Sequence, residues 1–278
     1  MQIRHTLFAA VLGLTGCASW QKFDGYLPTT PPASVVEAAR VPGFTRKFSS
    51  LELHRVDEFV GNGSFGAKNN LFSTVTLRVD ESGLTRESVR QTWGHSADGK
   101  VRGIADIQQL SVCGIQPLSR DLTARTVIPD VSVSVTPSTT TTYSKDVERS
   151  VLERLIVNSL SGEMASICSP KPKATYGYQV SRQAQLRWSA AQNLRLPLTA
   201  DIRCRTADSK VSASSLVPGL EGEALEVSCT ASYASEGNYV NRFAFFEALG
   251  VYLPFEAAEP ERGKTVYRYT KALTGQER

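Results

Sequence analysis

LRLPLTADIRC, residues 194–204, alternates apolar and polar side chains along its whole length. LEVSCTASY, residues 225–233, shows the same alternation further along the chain. A period of two is typical of a β-strand that buries one face and exposes the other. Each segment places a cysteine, Cys204 or Cys229, on its apolar face. The pattern therefore predicts two neighbouring antiparallel strands joined by a Cys204–Cys229 disulfide.

The segment that precedes these strands carries the same signal. Val75, Leu77 and Val79 alternate with polar residues, a turn follows at 80–83, and further period-two runs continue to residue 135. This pattern is typical of antiparallel sheets with one solvated face. We expect a mainly β protein whose antiparallel sheets form a meander or a sandwich-like arrangement, braced by disulfides.

One stretch between the two strand-rich regions predicts a helix instead. Ser144 is a suitable N-cap, and Gly162 is a suitable C-terminal stop. Between them, apolar residues recur at spacings of three and four, as on one face of a helix. We expect this to be the one amphipathic helix of the mature chain, with its apolar stripe packed on a sheet. The stripe consists of Val147, Val151, Leu152, Leu155, Ile156 and Leu160.

The N-terminus has the organisation of an export signal. Arg4 precedes an apolar run over residues 6–14, which is shorter than the roughly 20 residues that a transmembrane helix needs. The run ends in Leu14-Thr15-Gly16-Cys17, which resembles the lipobox of bacterial lipoproteins. The resemblance implies cleavage before Cys17 and acylation of Cys17, with palmitate-type chains as the anchor in the membrane. No Asp follows Cys17, which implies outer-membrane sorting with a periplasm-facing body; exposure at the cell surface stays open.

The other four cysteines fit an exported, oxidised protein. Four cysteines allow three pairings. Once Cys204 is paired with Cys229, Cys113 and Cys168 are left to pair, and their bond would tie the segment after the helix back to the first sheet. No C-x-x-C spacing occurs, which argues against a thioredoxin-like redox site or a zinc knuckle.

Composition divides the chain into five expected segments. Residues 1–16 form the signal peptide, 17–47 a Pro/Thr-rich tether, 48–137 an N-terminal β domain, 138–175 a loop and helix, and 176–278 a C-terminal β domain. The net charge is only +4, and no dense Lys/Arg run interleaved with aromatic residues is present. A nucleic-acid partner is therefore not expected.

The motifs that suggest chemistry are weak. Gly61 to Gly66 fit G-x-G-x-x-G, but a strand-like segment follows them where a dinucleotide site needs a helix, and the other kinase motifs are missing. We interpret them as a hairpin loop. His54 and His95 lack the spacing of metal ligands. We expect no catalytic residue, no cofactor and no metal site.

The remaining features favour a lipid-anchored envelope protein that binds or assembles another envelope component without catalysis. An envelope protein partner could be recruited by strand addition at an exposed sheet edge. One alternative is a carrier of a hydrophobic ligand, such as a lipid or acyl chain, held by the aromatic residues Phe243, Phe245, Phe246, Tyr252 and Phe255. A second alternative is a cell-wall hydrolase that uses Glu52 and Asp57 as its acid–base pair.

Overall fold

The computed structural model describes residues 21–22, 26–45, 47–61, 69–94, 102–135, 140–189, 192–233, 237–259 and 263–275. Its strands are β1 (Gln21–Lys22), β2 (Ser50–Gly61), β3 (Asn69–Val79), β4 (Leu84–Trp93), β5 (Gly103–Val112), β6 (Gln116–Val135), β7 (Thr140–Gly162), β8 (Thr175–Ser189), β9 (Gln192–Thr206), β10 (Val211–Ser212), β11 (Glu223–Tyr233), β12 (Gly237–Phe246), β13 (Val251–Glu259) and β14 (Gly263–Gly275). Its helices are α1 (Ala33–Ala38), α2 (Met164–Ile167) and α3 (Ala213–Leu216).

The strands of the described residues form a single antiparallel sheet, which closes on itself. Consecutive strands pair from β2 to β9 and from β11 to β14, and the ring is completed where β14 pairs with β2 and β9 pairs with β11. These twelve strands make a closed barrel, and the short strands β1 and β10 add pairings to β9 and β11. The prediction of a mainly β, antiparallel fold is confirmed, and the sheet forms a closed barrel rather than the predicted sandwich-like arrangement. Strands from both predicted β domains belong to this one sheet.

The alternating segments 194–204 and 225–233 lie side by side in the barrel, in strands β9 and β11. Cys204 of β9 is the register partner of Cys229 of β11. Leu198, Ala200 and Ile202 on the same face of β9 are buried. The alternation of apolar and polar residues therefore reports the inner and outer faces of the barrel wall, as period two requires.

The predicted helix is wrong, because residues 144–160 lie in strand β7. Val157 on its inner face is fully buried, and Ile156 on its outer face is only 2% exposed. The outer face is covered by the N-terminal segment, since Arg154 of β7 donates to the carbonyl of Leu27 and helix α1 contacts β7. A strand that is buried on both faces loses its alternation, and its apolar residues then imitate helical spacing.

One end of the barrel is filled by the hairpin of β12 and β13. The amide of Tyr252 donates to the carbonyl of Cys113 at 2.8 Å, so the hairpin reaches the turn between β5 and β6. Phe245 and Tyr252 belong to one hydrophobic cluster, while Phe246 and Leu253 belong to another. The hairpin thus has apolar packing on both faces, and Tyr252 and Leu253 also line the interior cavity.

The N-terminal segment packs against the barrel from residue 26 onward. Leu27, Val35, Ala39 and Phe48 are buried, and three of them lie within the stretch 17–47 that we expected to be the tether. In the described part of the chain, no helix is both long and apolar enough to cross a membrane. Leu14 to Cys17 lie outside the described residues, as do residues 62–66 of the glycine motif.

Candidate functional site

A cavity of about 290 Å³ lies inside the barrel, and its mostly apolar lining includes several charged side chains. It is lined by inward-facing side chains from most of the strands of the ring, because every second residue of each strand points into the barrel. Three of its lining residues are arginines, which come from β2, β6 and β8. Charged residues are almost never buried unless they are paired, so each charged side chain in this interior should have a partner of opposite charge or a hydrogen-bonding group beside it.

Arg55 and Asp57, both on β2, form a closely bonded ion pair at one side of the cavity. Arg55 Nε donates to Asp57 Oδ1 at 2.7 Å, and Arg55 Nη2 donates to Oδ2 at 3.3 Å. Asp57 Oδ2 also accepts from Ser73 Oγ at 2.8 Å and from Gln91 Nε2 at 2.7 Å. Burial is the largest single influence and disfavours the charged guanidinium, but Asp57 together with Tyr269, Glu87 and Tyr267 outweighs it, and the pKa of Arg55 is raised. This pair is fully bonded and has little capacity left for a ligand.

Glu87 of β4 lies between this pair and the next arginine. Gln109 Nε2 donates to Glu87 Oε2 at 3.1 Å. Burial raises the pKa of Glu87, while Arg55 and Arg120 lower it in opposition. The negative charge of Glu87 therefore interacts favourably with both Arg55 of β2 and Arg120 of β6.

Glu153 of β7 is as deeply buried as Asp57, since each has 1% of its surface exposed. Burial raises its pKa to about 7, against the lowering effect of Arg120 and Arg182. Among the described residues, Glu153 Oε2 has no hydrogen-bond partner, and neither does the Nε of Arg120 or of Arg182. Arg182 is otherwise held by Tyr233, whose hydroxyl accepts from its Nη2 at 2.6 Å and whose ring lies 5.1 Å from its Cζ.

These six residues form an alternating series of charges around the interior, which we call the luminal charge cluster. The acids and bases alternate, and the series is neutral when all of its members are ionised. Its members are Asp57, Arg55, Glu87, Arg120, Glu153 and Arg182. One part is closed by direct hydrogen bonds, whereas the part around Glu153 keeps buried donors and an acceptor without partners. Such groups cost free energy unless water or a ligand satisfies them.

A second cavity, of about 730 Å³, lies beside the first and is lined in part by the exposed residues Arg205, Arg242 and Arg268. The two cavities share four lining residues, which are Phe243, Glu256, Tyr267 and Tyr269. These lie where the ladder between β13 and β14 ends, because those strands pair only from Glu256 to Glu259 of β13. The pairing of β13 with β14 is therefore the shortest between the described ring strands, and it lies where the two cavities meet.

The predicted site residues are distributed as follows. The structure joins Cys113 to Cys168, with Cα atoms 5.7 Å apart, and Cys204 to Cys229. The first bond connects the end of β5 to the end of α2. The second connects the neighbouring strands β9 and β11, whose pairing helps to close the ring. Cys17 lies outside the described residues. All four bonded cysteines belong to one hydrophobic cluster, and Cys229 also lines the interior cavity.

The two acids named for catalysis are not brought together, whereas the aromatic residues named for lipid binding are. Tyr252 packs against Phe243 and Phe245, and Phe246 stacks on Phe255. Glu52 pairs with His54 at 2.9 Å on the outer face of β2, while Asp57 points inward, so they do not form one acid–base pair. Phe245, Phe246 and Tyr252 are at most 7% exposed and fill the core. Among the described residues, no group of three or more His, Cys, Asp or Glu side chains could hold a metal ion.

The luminal charge cluster was missed at the level of sequence, although a signal for it exists. Glu153 lies between Val151 and Leu155, and Arg182 lies between Val180 and Ala184, in the apolar phase of their strands. A charge in that phase indicates a polar interior. Comparisons with protein-family models, with curated proteins and with solved structures found no match.

Proposed function

We propose that this chain is a lipid-anchored, non-catalytic binding protein of the bacterial outer membrane, and that it binds a small polar molecule inside the barrel. The anchor is Cys17, by its resemblance to a lipobox cysteine. The observation that supports the binding role is the interior cavity, into which Arg120 and Arg182 bring guanidinium groups whose Nε atoms have no partner among the described residues. Such donors favour a bound group that completes their hydrogen bonds.

The size of the cavity suits a small ligand. Its volume of about 290 Å³ is near the lower end of the roughly 300–1,000 Å³ that ligand pockets span. The adjoining outer cavity, together with the short ladder between β13 and β14, provides the route by which the ligand reaches the interior.

Closure of the sheet confines strand addition to the parts of strands that extend beyond the ring. Each of the twelve described ring strands has a neighbour on both sides over part of its length, whereas residues 128–135 of β6 and 140–151 of β7 pair only with each other. An envelope protein partner stays a prediction from the sequence. The carrier of a hydrophobic ligand is the second candidate, because Phe243 and Tyr252 line the cavity together with many apolar side chains. The arginine Nε atoms without a partner favour a ligand that carries a polar group.

The experiment is native mass spectrometry of the full-length protein after gentle extraction from its own membranes. We expect an acylated protein that carries one extra small molecule, which is released on denaturation. A double variant, Arg120→Gln with Arg182→Gln, should lose this mass. The matched control, Arg86→Gln with Arg90→Gln, removes two exposed arginines from β4 and should keep it.

The two parts of the proposal fail separately. An acylated protein without bound small molecule, in the unaltered chain and in the control alike, would overturn the binding role. An unacylated mass, or membrane association that survives Cys17→Ala, would overturn the anchor. A stoichiometric protein partner in place of the small molecule would move the binding role to the outer surface.

A further inference from the structure

We propose that Arg120 and Arg182 bind the acidic group of the ligand, a carboxylate or a phosphate, and that Glu153 takes up a proton when this group binds. This inference rests on the proposed function, since it concerns the ligand class and the regulation of the same cavity. It makes the protein a binder of small anions whose affinity depends on pH.

The choice of Arg120 and Arg182 follows from their hydrogen bonds. Both line the cavity, both are partly exposed to it, and the Nε of each is buried without a partner among the described residues. A guanidinium presents a planar fork of donors that matches a carboxylate or a phosphate. Arg55, the third arginine of the cavity, is excluded because both oxygens of Asp57 already bond to it.

The role of Glu153 follows from its surroundings. It lies on β7 between the two flanking strands, where its register partners are Leu122 of β6 and Leu186 of β8, both apolar. The charges that act on it are Arg120 and Arg182, with no acid among them. In the empty cavity the carboxylate of Glu153 balances these arginines. A ligand anion would bring a second negative charge to the same two guanidinium groups, in a buried place where like charges repel strongly.

Protonation of Glu153 removes this repulsion, because the neutral carboxyl no longer opposes the negative charge of the ligand at Arg120 and Arg182. The proton is readily available near neutral pH, because burial raises the pKa of Glu153 to about 7. The other titratable groups that face the two arginines are Glu87 and Tyr267, beside Arg120, and Tyr178 and Tyr233, beside Arg182. Burial raises the pKa of Tyr178, so it stays neutral and does not compete.

The test uses two probe anions that do not change their own charge between pH 6 and pH 8, sulfate for the phosphate class and acetate for the carboxylate class. Calorimetric titration of the full-length acylated protein in detergent, in two buffers of different ionisation enthalpy, gives the affinity and the protons taken up. We expect one probe to bind about tenfold more weakly at pH 8 than at pH 6, because the protonated fraction of Glu153 falls by about that factor. Proton uptake should accompany binding at pH 8.

Variants separate this inference from a trivial effect of pH. Glu153→Gln should bind the probe with the same affinity at both pH values and without proton uptake. The exposed-residue control Glu221→Gln, which lines neither cavity, should behave as the unaltered chain. Arg120→Lys with Arg182→Lys keeps both charges but loses the planar forks, and should weaken binding of the probe. If that double variant does not fold, Glu153→Gln still decides the question.

The outcomes distinguish this inference from the proposed function. If mass spectrometry finds a bound small molecule that is neutral or cationic, the anion class is overturned while the binding role stands. If a probe binds equally well at both pH values in the unaltered chain, the role of Glu153 is overturned while the anion site stands. If neither probe binds and no small molecule is found, the proposed function fails as well.

Discussion

Asp57 accepts hydrogen bonds from Arg55 at both of its carboxylate oxygens, and the two residues are neighbours on the inner face of strand β2. Their side chains are only 1% and 7% exposed. A buried ion pair is tolerated when further hydrogen bonds complete the shell of each charge. Ser73 and Gln91 supply them to Asp57, and the ring of Tyr267 lies 4.7 Å from the Cζ of Arg55.

Replacement of Asp57 by Asn should lower the free energy of unfolding by about 3–5 kcal/mol, because it leaves the guanidinium of Arg55 buried without its counter-charge. Urea unfolding followed by circular dichroism measures this loss. Glu37→Gln is the matched control, since the Glu37–Arg40 pair is exposed on both sides, and it should leave the unfolding curve unchanged. A loss below about 1 kcal/mol for Asp57→Asn would show that the pair does not brace the interior.

Gly114 is a position where a side chain cannot be accommodated. Its φ is +79°, and a Cβ there would lie 2.5 Å from the carbonyl oxygen of Tyr252 and 2.9 Å from Cγ2 of Val251. We expect Gly114→Ala to cost about 3 kcal/mol, from backbone strain together with displacement of the β12–β13 hairpin.

Gly43→Ala isolates the backbone part of this effect. Gly43 has a similar φ of +71°, but no atom lies within 4 Å of the position of its Cβ. It should cost only about 1 kcal/mol. Thermal unfolding of the two variants compares them directly. Equal losses would mean that the hairpin does not press on the turn at Gly114.

The sequence predicts those strands of this barrel that face solvent on one side. In β9 and β11 the outer residues are polar and the inner ones apolar, so period two survives and even the opposition of Cys204 and Cys229 can be anticipated. Strand β7 could not be predicted in this way, because both Ile156 and Val157 are buried and the alternation disappears. Its outer cover comes from Leu27, far away in the chain, and no local pattern reports it.

The closure of the sheet is the other feature that could not be predicted from the sequence. It depends on pairing of β2 with β14 and of β9 with β11, and neither pair is joined by a short turn. Contacts between distant segments leave no local periodicity, whereas turns and hairpins do. The candidate site depends on this closure, since Arg55, Arg120 and Arg182 approach one cavity only when the ring is complete.

Glu153 should make the stability of the protein depend on pH. In the folded protein its pKa is about 7, compared with an ordinary value of 4.5. Between these values the folded protein holds a proton that the unfolded chain has released, so the free energy of unfolding falls as the pH rises through this window. The accumulated loss is about 3 kcal/mol, and it is fully present above pH 7.

Glu153→Gln should remove this decline, so that the variant gains stability relative to the unaltered chain as the pH rises from 4.5 to 8. Urea unfolding at several pH values in that range measures the difference. Burial also raises the pKa of Glu87, but its contribution is common to both proteins and is removed by the comparison. Stability curves that run parallel for the two proteins would contradict the assignment of the slope to Glu153.

The N-terminal segment should be released locally by loss of a single arginine. Arg154 Nη1 donates to the carbonyl of Leu27 at 3.0 Å, while the amide of Leu27 donates to Gln185 Oε1 at 2.7 Å, so β7 and β8 hold this backbone from both sides. In Arg154→Ala the local opening of the segment should cost about 1–2 kcal/mol less, and the Leu27 amide should exchange about 5–30 times faster. Hydrogen exchange read by mass spectrometry or NMR measures this rate.

Arg187→Ala, which removes a contact with Tyr26 but leaves Leu27 bonded, should change the rate by less than about twofold. If the two variants exchange alike, the segment is held by its apolar contacts and not by Arg154.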